Sequence, residues 1–148
     1  MGRLETLWNP FDSVDPGALI KVVVAATDET VEAGRALGWE YPEPQPISAL
    51  LDTGSPFTIV SRVFARNRKL PLTSSGTPIR TISGPARCDE HSCSISFPGS
   101  GLPRIGPMRV LATDFDREPF HCCILGRDVL KYWIVEFNSK TRTATISG

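Results

Sequence analysis

The feature of this sequence that most constrains its fold is a single carboxylate placed between two apolar segments. Residues 49–61 read ALLDTGSPFTIVS, so Asp52 follows one apolar run and precedes another. An ionised carboxylate is costly in apolar surroundings unless it is hydrogen-bonded or paired. The alternative is an ordinary turn between two strands, in which Asp-Thr-Gly supplies the turn residues. We predict instead that the fold uses the Asp52 carboxylate, because these flanks are an expensive place for an idle charge.

The rest of the chain predicts one mostly β domain. A length of 148 residues allows a single hydrophobic core. Thirteen prolines and twelve glycines indicate short elements joined by many turns, which is typical of β structure. Residues 1–17 are predicted to form an N-terminal arm, either loose or an edge element, and residues 18–148 are predicted to form the domain.

Apolar alternation and turn residues place the individual elements. Residues 73–76 are predicted to be a loop, and residues 83–85 a hairpin turn. Residues 28–37 are predicted to be a short helix, with Asp28 as candidate cap, or a long loop. Short helices are predicted over residues 62–69 and 127–131, with Ser61 and Asp128 as candidate caps and with Val63 and Phe64 facing inward. Strands are predicted over residues 18–26, 47–51, 57–60, 78–82, 87–97, 108–112, 120–125, 132–137 and 141–147.

Charge and hydropathy argue against several function classes. Lys plus Arg and Asp plus Glu each number 16, so no charge excess favours nucleic acid or an anionic membrane as a partner. No run of about 18 apolar residues could form a membrane span. Residues 1–11 lack the apolar core of a secretory signal. The four cysteines are therefore expected to be reduced thiols in a cytoplasmic protein.

Two motifs together resemble a known family. Asp52-Thr53-Gly54-Ser55 stands behind Leu50-Leu51, and the run Ile124-Leu125-Gly126-Arg127-Asp128 follows much later in the chain. This combination resembles the retropepsin-type aspartic proteases, which include the retroviral proteases and their stand-alone cellular and bacterial relatives. The resemblance implies a single-domain closed β-barrel of the acid protease fold, with a flap hairpin and one or two short helices. It also implies an aspartic endopeptidase that needs no metal or cofactor.

The implied chemistry requires two carboxylates around one water. One is ionised and takes a proton from the water, and the other is protonated and donates to the peptide carbonyl. This chain holds one Asp-Thr-Gly motif. The resemblance therefore implies a homodimer in which each subunit contributes one catalytic Asp52, since a twofold axis brings a residue opposite its own copy. The partners expected are a second copy and a peptide or protein substrate.

The resemblance also assigns supporting roles around Asp52. The Thr53 hydroxyls would hydrogen-bond across the dimer axis, and Gly54 would offer an N–H to the dyad. Ser55 would donate to the outer oxygen of Asp52. Residues 124–126 (Ile124, Leu125 and Gly126) would pack under the Asp52 loop, with ordinary strand core as the alternative interpretation.

A hairpin between the two motifs occupies the place of the family's flap. Its predicted tip is Ser83-Gly84-Pro85-Ala86, and a plain surface hairpin is the alternative. Two features depart from the family pattern. Pro56 replaces the acid that would pair with Arg127, which would then turn to Asp128, Glu136 or a C-terminal carboxylate. The insert at residues 28–46 is longer than in a minimal retroviral enzyme.

Two competing interpretations remain open. Cys88, His91 and Cys93, together with the triplet His121-Cys122-Cys123, offer enough atoms for zinc, but their spacing matches no familiar zinc pattern. In the simpler interpretation Cys93, Cys122 and Cys123 are small apolar side chains that fill the core, and His91 is a solvated hairpin residue. The second is functional: the domain would be a catalytically weak dimerisation or peptide-binding module rather than an enzyme.

Overall fold

The computed structural model describes residues 2–7, 17–81, 83–114 and 123–148. Within them lie ten strands and three short helices. The helices are α1 (Asp28–Ala36), α2 (Arg62–Asn67) and α3 (Arg127–Leu130). The strands are β1 (Arg3–Leu7), β2 (Leu19–Ala25), β3 (Ile47–Leu51), β4 (Ile59–Ser61), β5 (Leu72–Thr81), β6 (Gly84–Ser96), β7 (Ile105–Thr113), β8 (Cys123–Leu125), β9 (Ile134–Asn138) and β10 (Thr143–Ser147).

The larger sheet closes on itself. Its seven strands follow the order β2-β3-β8-β4-β7-β6-β5, and β2 also pairs with β6. That second pairing joins Val23, Val24 and Ala25 to Ser96, Ile95 and Ser94. The ring therefore contains six strands, with β5 outside it as the free arm of a hairpin. The prediction of a mostly β, closed-barrel domain is confirmed.

The smaller sheet has the order β1-β10-β9, with antiparallel pairing throughout. Residues 3–7 thus form an edge strand, which is the second of the two predicted forms of the N-terminal arm. Phe97, just after β6, and Trp133, between α3 and β9, make an edge-to-face contact with ring centroids 4.7 Å apart. This contact packs the segment before β9 against the end of β6.

Alternation along the strands builds the core. In β2, Ile20, Val22 and Val24 are at most 3% exposed, while Lys21 between them faces solvent. Facing strands add further small and branched side chains that are fully buried. These include Ala49, Cys93, Ile95, Val110, Ala112 and Leu125.

The helices begin at polar residues, though not all at those predicted. Ser61 caps α2 as expected, with its hydroxyl accepting from the Phe64 N–H at 3.0 Å. Thr27, rather than Asp28, caps α1. Phe64 is buried, but Val63 is 52% exposed, so its predicted inward orientation is wrong. Successive helix positions point about 100° apart, and the buried side of α2 is formed by Phe64 and Ala65, which leaves Val63 on the solvent side.

The predicted loop at residues 73–76 is wrong, because these residues lie within β5. The strand carries irregular register on both sides of Ser74, and Gly76 has a φ of +69°. A β-bulge absorbs the left-handed glycine without ending the strand. The predicted strand at residues 120–125 is described only as β8, since residues 120–122 lie outside the described chain.

In the described part of the chain, no helix is long and apolar enough to cross a membrane.

Candidate active site

Asp52 lies at the point where β3 leaves the barrel. β8 runs parallel beside β3, and the Asp52 N–H donates to the Leu125 carbonyl at 3.0 Å. The Asp52 side chain is half-buried. Its Oδ1 accepts from the Gly54 N–H at 2.9 Å. The backbone therefore holds this carboxylate at the barrel surface, and none of the described residues makes a hydrogen bond to its second oxygen.

Gly54 approaches that carboxylate closely. A Cβ added there would lie 3.1 Å from Asp52 Oδ1, closer than most real Cβ contacts. The predicted N–H from Gly54 to this site is present in the single chain. The Gly54 backbone thus donates a hydrogen bond to the carboxylate, and the lack of a side chain at Gly54 leaves space beside it.

Ser55 makes a different contact from the one predicted. Its hydroxyl donates to the Phe57 carbonyl at 2.7 Å instead of to Asp52. The Ser55 N–H donates to the Asp52 carbonyl at 3.2 Å, which closes a turn. Ser55 therefore stabilises the path of the loop after Asp52. The predicted bond to Asp52 does not form because the hydroxyl has an acceptor two residues ahead in the chain.

Residues 124–126 lie under the Asp52 loop. Ile124 and Leu125 pair in parallel with β3, and Ile124 also pairs with Ile59 of β4, so β8 lies between the two strands that flank Asp52. A Cβ at Gly126 would lie 2.3 Å from the Phe57 carbonyl oxygen. This is a contact with backbone, so glycine is required at Gly126 for space.

A buried hydrogen-bond network that the sequence did not reveal ties the two motifs together. Thr58 is fully buried. The Asp128 carboxylate accepts from the Thr58 N–H at 3.0 Å and from its hydroxyl at 2.7 Å. The Gly126 N–H in turn donates to the Thr58 hydroxyl at 3.1 Å. Asp128 therefore does not cap α3, whose N-terminus has no side-chain cap. The one sequence feature that points to this network is Thr58, a polar residue inside the apolar run at residues 57–60.

Arg127 finds a partner in the Asp52 loop itself. Its Nη1 donates to the Thr53 carbonyl at 2.9 Å, and its backbone N–H donates to the Ser55 carbonyl at 2.8 Å. The predicted pairing with Asp128, Glu136 or a C-terminal carboxylate is therefore wrong. With Pro56 offering no acid, the guanidinium binds the nearest backbone carbonyl and holds the loop from below.

The β5–β6 hairpin overhangs this loop, and its tip is shorter than predicted. Gly84, with φ +113°, pairs with Thr81, whose hydroxyl donates to the Gly84 carbonyl at 2.8 Å. Because β6 begins at Gly84, the residues Gly84, Pro85 and Ala86 belong to that strand, and of the predicted tip only Ser83 lies in the turn. A glycine at positive φ closes the hairpin one step earlier than the proline suggested.

A groove of about 670 Å³ separates this hairpin from the Asp52 loop. Phe57, Ile59, Ile79 and Leu111 give it apolar walls. The guanidinium of Arg109 lies 5.3 Å from the Phe57 ring centroid and also pairs with Glu90. The full lining is Gly54, Ser55, Pro56, Phe57, Ile59, Pro78, Ile79, Arg80, Thr81, Ser83 and Leu111.

An ion cluster fixes the base of the hairpin. The Arg62 Nε pairs with Asp89 at 3.1 Å, and its Nη1 pairs with Asp114 at 2.5 Å. Burial alone would raise the pKa of Asp89, but the Gly76 N–H and the Arg62 guanidinium outweigh it and hold that pKa below its ordinary value of 3.8. Arg62 thus links α2 to both β6 and the end of β7.

This cluster predicts a pH-dependent contribution to stability. A lowered folded-state pKa stabilises the fold above the unfolded pKa, and the contribution is lost as pH falls through the folded value. We expect Arg62→Gln to lower the free energy of unfolding at neutral pH. The deficit should shrink once pH falls below about 3.8, the ordinary pKa of Asp89, and should be lost as pH passes the lower pKa of Asp89 in the folded state. Urea unfolding between about pH 7 and 2.5 measures this, with Arg104→Gln as control because its ion pair with Asp28 is exposed. A deficit that is the same at every pH would contradict the assignment.

No cluster of three or more His, Cys, Asp or Glu side chains able to hold a metal occurs among the described residues. His121 and Cys122 lie outside them. His91 is 9% exposed and its Nδ1 is 2.9 Å from the Leu70 carbonyl, so its predicted solvated state is wrong. Burial, with a smaller effect from Asp128, raises the pKa of Cys93 to about 12. That thiol is a core side chain, as predicted.

Comparison with solved structures identifies the fold. A retropepsin-like aspartic protease from Rickettsia conorii matches with a TM-score of 0.59 and 14% identity, covering 98% of this chain and 89% of its own. The EIAV protease complexed with the inhibitor HBY-793 matches with a TM-score of 0.52 and 18% identity, covering 82% and 92%. Neither protein-family models nor curated protein sequences match this chain. At these identities the likeness concerns architecture. The chain has the retropepsin-like fold, as its sequence resemblance predicted.

Proposed function

We propose that this protein is an aspartic endopeptidase that works as a homodimer, with Asp52 of each subunit forming the catalytic pair. The observation that carries the proposal is the setting of Asp52. The carboxylate is held by the Gly54 N–H on one oxygen, stands half-buried at the barrel surface, and lies next to an apolar groove under a hairpin. A carboxylate placed in this way can present its other oxygen to a water and to a substrate in the groove.

The mechanism needs both subunits. Two adjacent carboxylates share one proton, because a second charge at that distance is strongly disfavoured. The ionised Asp52 takes a proton from the bound water, whose oxygen attacks the peptide carbonyl carbon. The protonated Asp52 of the other subunit donates to the carbonyl oxygen. Collapse of the resulting diol breaks the C–N bond, and the leaving nitrogen takes a proton from the pair.

The remaining aspartates of the described chain are already engaged, which supports a pair supplied by two copies. Asp28 pairs with Arg104, Asp89 and Asp114 with Arg62, and Asp128 accepts twice from Thr58. Each of these four carboxylates therefore has a hydrogen-bond or ion-pair partner of its own within the single chain. A second copy of Asp52, brought opposite by a twofold axis, is the simplest source of the missing carboxylate.

The groove suits an extended peptide. Its apolar walls at Ile59, Ile79 and Leu111 would take apolar side chains of the substrate. The edge strand β5 and the tip at Thr81 and Ser83 offer backbone groups above it. In this role the hairpin is a flap that covers the substrate, excludes water and contributes main-chain hydrogen bonds.

The proposal is tested by incubating the purified protein with unfolded proteins and peptide libraries from acidic to neutral pH. Mass spectrometry identifies the cleaved bonds. New termini produced by wild type, and not by an Asp52 variant, support the peptidase. Peptide binding and dimerisation without cleavage would overturn it in favour of the non-catalytic binding module.

Thr53→Ala tests the dimer. Thr53 is exposed in the single chain, and we propose that its hydroxyl bonds its partner's Thr53. Losing two such bonds at about 1 kcal/mol each should weaken dimerisation about 30-fold. Sedimentation equilibrium measures this, while thermal unfolding of the monomer should be unchanged. Thr73→Ala, another exposed threonine, is the matched control. An unchanged dimer would contradict the axis placement.

A further inference from the structure

A second cavity lies away from the Asp52 loop, on the other half of β2. It has a volume of about 370 Å³ and is lined by Val23 and Ala25 of β2 and by Ala26, the residue after the strand. At the other end of β2, the Ala18 carbonyl accepts from the N–H of Leu51, the residue before Asp52. At about 3.3 Å per residue, the two ends of this strand are roughly 20 Å apart. This cavity and the groove at Asp52 share no lining residue.

The long insert at residues 28–46 builds half of this cavity. Seven of its fourteen lining residues come from α1 and the segment after it. The backbone of that segment is held by two basic residues at the end of α2, since Arg68 donates to the Glu43 carbonyl at 3.1 Å and Lys69 donates to the Glu40 carbonyl. The insert residues concerned are Asp28, Val31, Arg35, Tyr41, Pro42, Glu43 and Pro44.

A glycine shapes the wall. A Cβ at Gly34 would lie 2.2 Å from the Tyr41 hydroxyl oxygen, so the ring lies where only glycine leaves space. The same hydroxyl is 3.4 Å from the Thr30 carbonyl. The proline-rich segment is therefore packed onto α1 in a defined position, and the cavity between them is a formed feature of the fold.

The charges in the cavity favour an anion. Three arginines and two acids line it, so it carries an excess of one positive charge. Arg104 pairs with Asp28 at 3.1 Å, and Arg68 has given one donor to the Glu43 backbone. Among the described residues, the Arg35 guanidinium has no hydrogen-bond or ion-pair partner, and the Arg35 backbone carbonyl accepts from the Gly38 N–H. Guanidinium groups present paired N–H donors that match a carboxylate or phosphate.

The remaining lining is apolar with hydroxyls at one side. Val23, Ala26, Val31 and the prolines provide the apolar part, and Ser94 adds a hydroxyl. Small-molecule sites have volumes of about 300–1,000 Å³, and this cavity, which combines charged and apolar walls, lies near the lower end of that range. We infer that this cavity binds a small organic anion, with a phosphate or carboxylate group on Arg35 and Arg68 and an apolar body against β2 and α1.

The experiment uses phenyl phosphate as probe and the whole chain labelled with ¹⁵N. Amide shifts should saturate and should cluster at residues 23–35 and 94–96. Benzyl alcohol, which lacks the charge, and inorganic phosphate, which lacks the ring, should each bind at least about 5-fold more weakly. Shifts scattered over the surface, or equal binding of either comparison compound, would overturn the inference.

Arg35→Ala provides the matched test. The Arg35 side chain is exposed and unpaired among the described residues, so the variant should fold normally. Its dissociation constant for phenyl phosphate should rise about 5-fold or more. Arg66→Ala removes the same charge from an exposed helical site outside the cavity and should change it less than about 2-fold. Equal effects of the two variants would show that the binding is general charge attraction and would overturn the inference. The readout is binding alone and is independent of the proposed peptidase activity.

Discussion

Asp52→Asn is expected to abolish peptide hydrolysis while leaving the fold intact. Asparagine keeps the size of the side chain and an oxygen that can accept from the Gly54 N–H, so the loop loses no hydrogen bond. It cannot take or deliver the proton that the reaction requires. A homodimer of the variant lacks both carboxylates, and general acid–base catalysis contributes about 10²- to 10⁴-fold. We therefore expect kcat/KM to fall about 1,000-fold or more.

The control for this prediction is Glu32→Gln, which removes an exposed carboxylate from α1 and should leave the rate unchanged. Thermal unfolding of the Asp52 variant should match wild type within about 1 kcal/mol. Mixed dimers sharpen the test, because one intact Asp52 beside one asparagine should also be inactive if the pair shares the proton. If the Asp52→Asn variant cleaved peptides as fast as wild type, Asp52 would be ruled out as the catalytic group.

Asp128→Ala is expected to give the largest loss of stability among the variants considered. Its carboxylate accepts both the N–H and the hydroxyl of fully buried Thr58. Removing it leaves buried donors without an acceptor, at a cost of about 3 kcal/mol. The loss should also displace Gly126 and the Asp52 loop, because the Thr58 hydroxyl accepts from the Gly126 N–H. Urea unfolding measures the first effect and peptide cleavage the second.

Thr58→Val and the double variant complete a thermodynamic cycle. Valine keeps the volume of Thr58 and removes its hydroxyl, so it should cost about 1–2 kcal/mol. The double variant should lose less than the sum, since both changes break the same contact. Asp28→Ala is the control, because its ion pair with Arg104 is exposed and should cost under about 1 kcal/mol. Strict additivity would show that Thr58 and Asp128 do not act together.

The elements were readable from the sequence where local pattern and packing agree. β3 ends at Leu51 as predicted, because an apolar run meets turn residues there. β2 and α1 lie within one or two residues of their predicted bounds. The pattern failed at residues 73–76, where a bulge carries β5 through Gly76, and at Val63, where the helix turns its side chain to solvent. Both errors come from tertiary context that a local window does not contain.

The candidate site divides in the same way. Asp52 and Gly54 have the arrangement that the motif implied, since both lie within three residues and their hydrogen bond is local. Ser55 and Arg127 do not, because each donates to a backbone carbonyl of the folded loop instead of to a carboxylate.

The sequence alone thus determines the features that depend on neighbouring residues. These are a carboxylate after an apolar run, a glycine beside it and strands that must be buried. Only the folded barrel brings β8 between β3 and β4, and with it Asp128 to Thr58 and Arg127 to Thr53. These contacts join residues from opposite halves of the chain. Hydrogen bonds of this kind depend on atomic positions within a few tenths of an ångström, and residue order alone does not specify them.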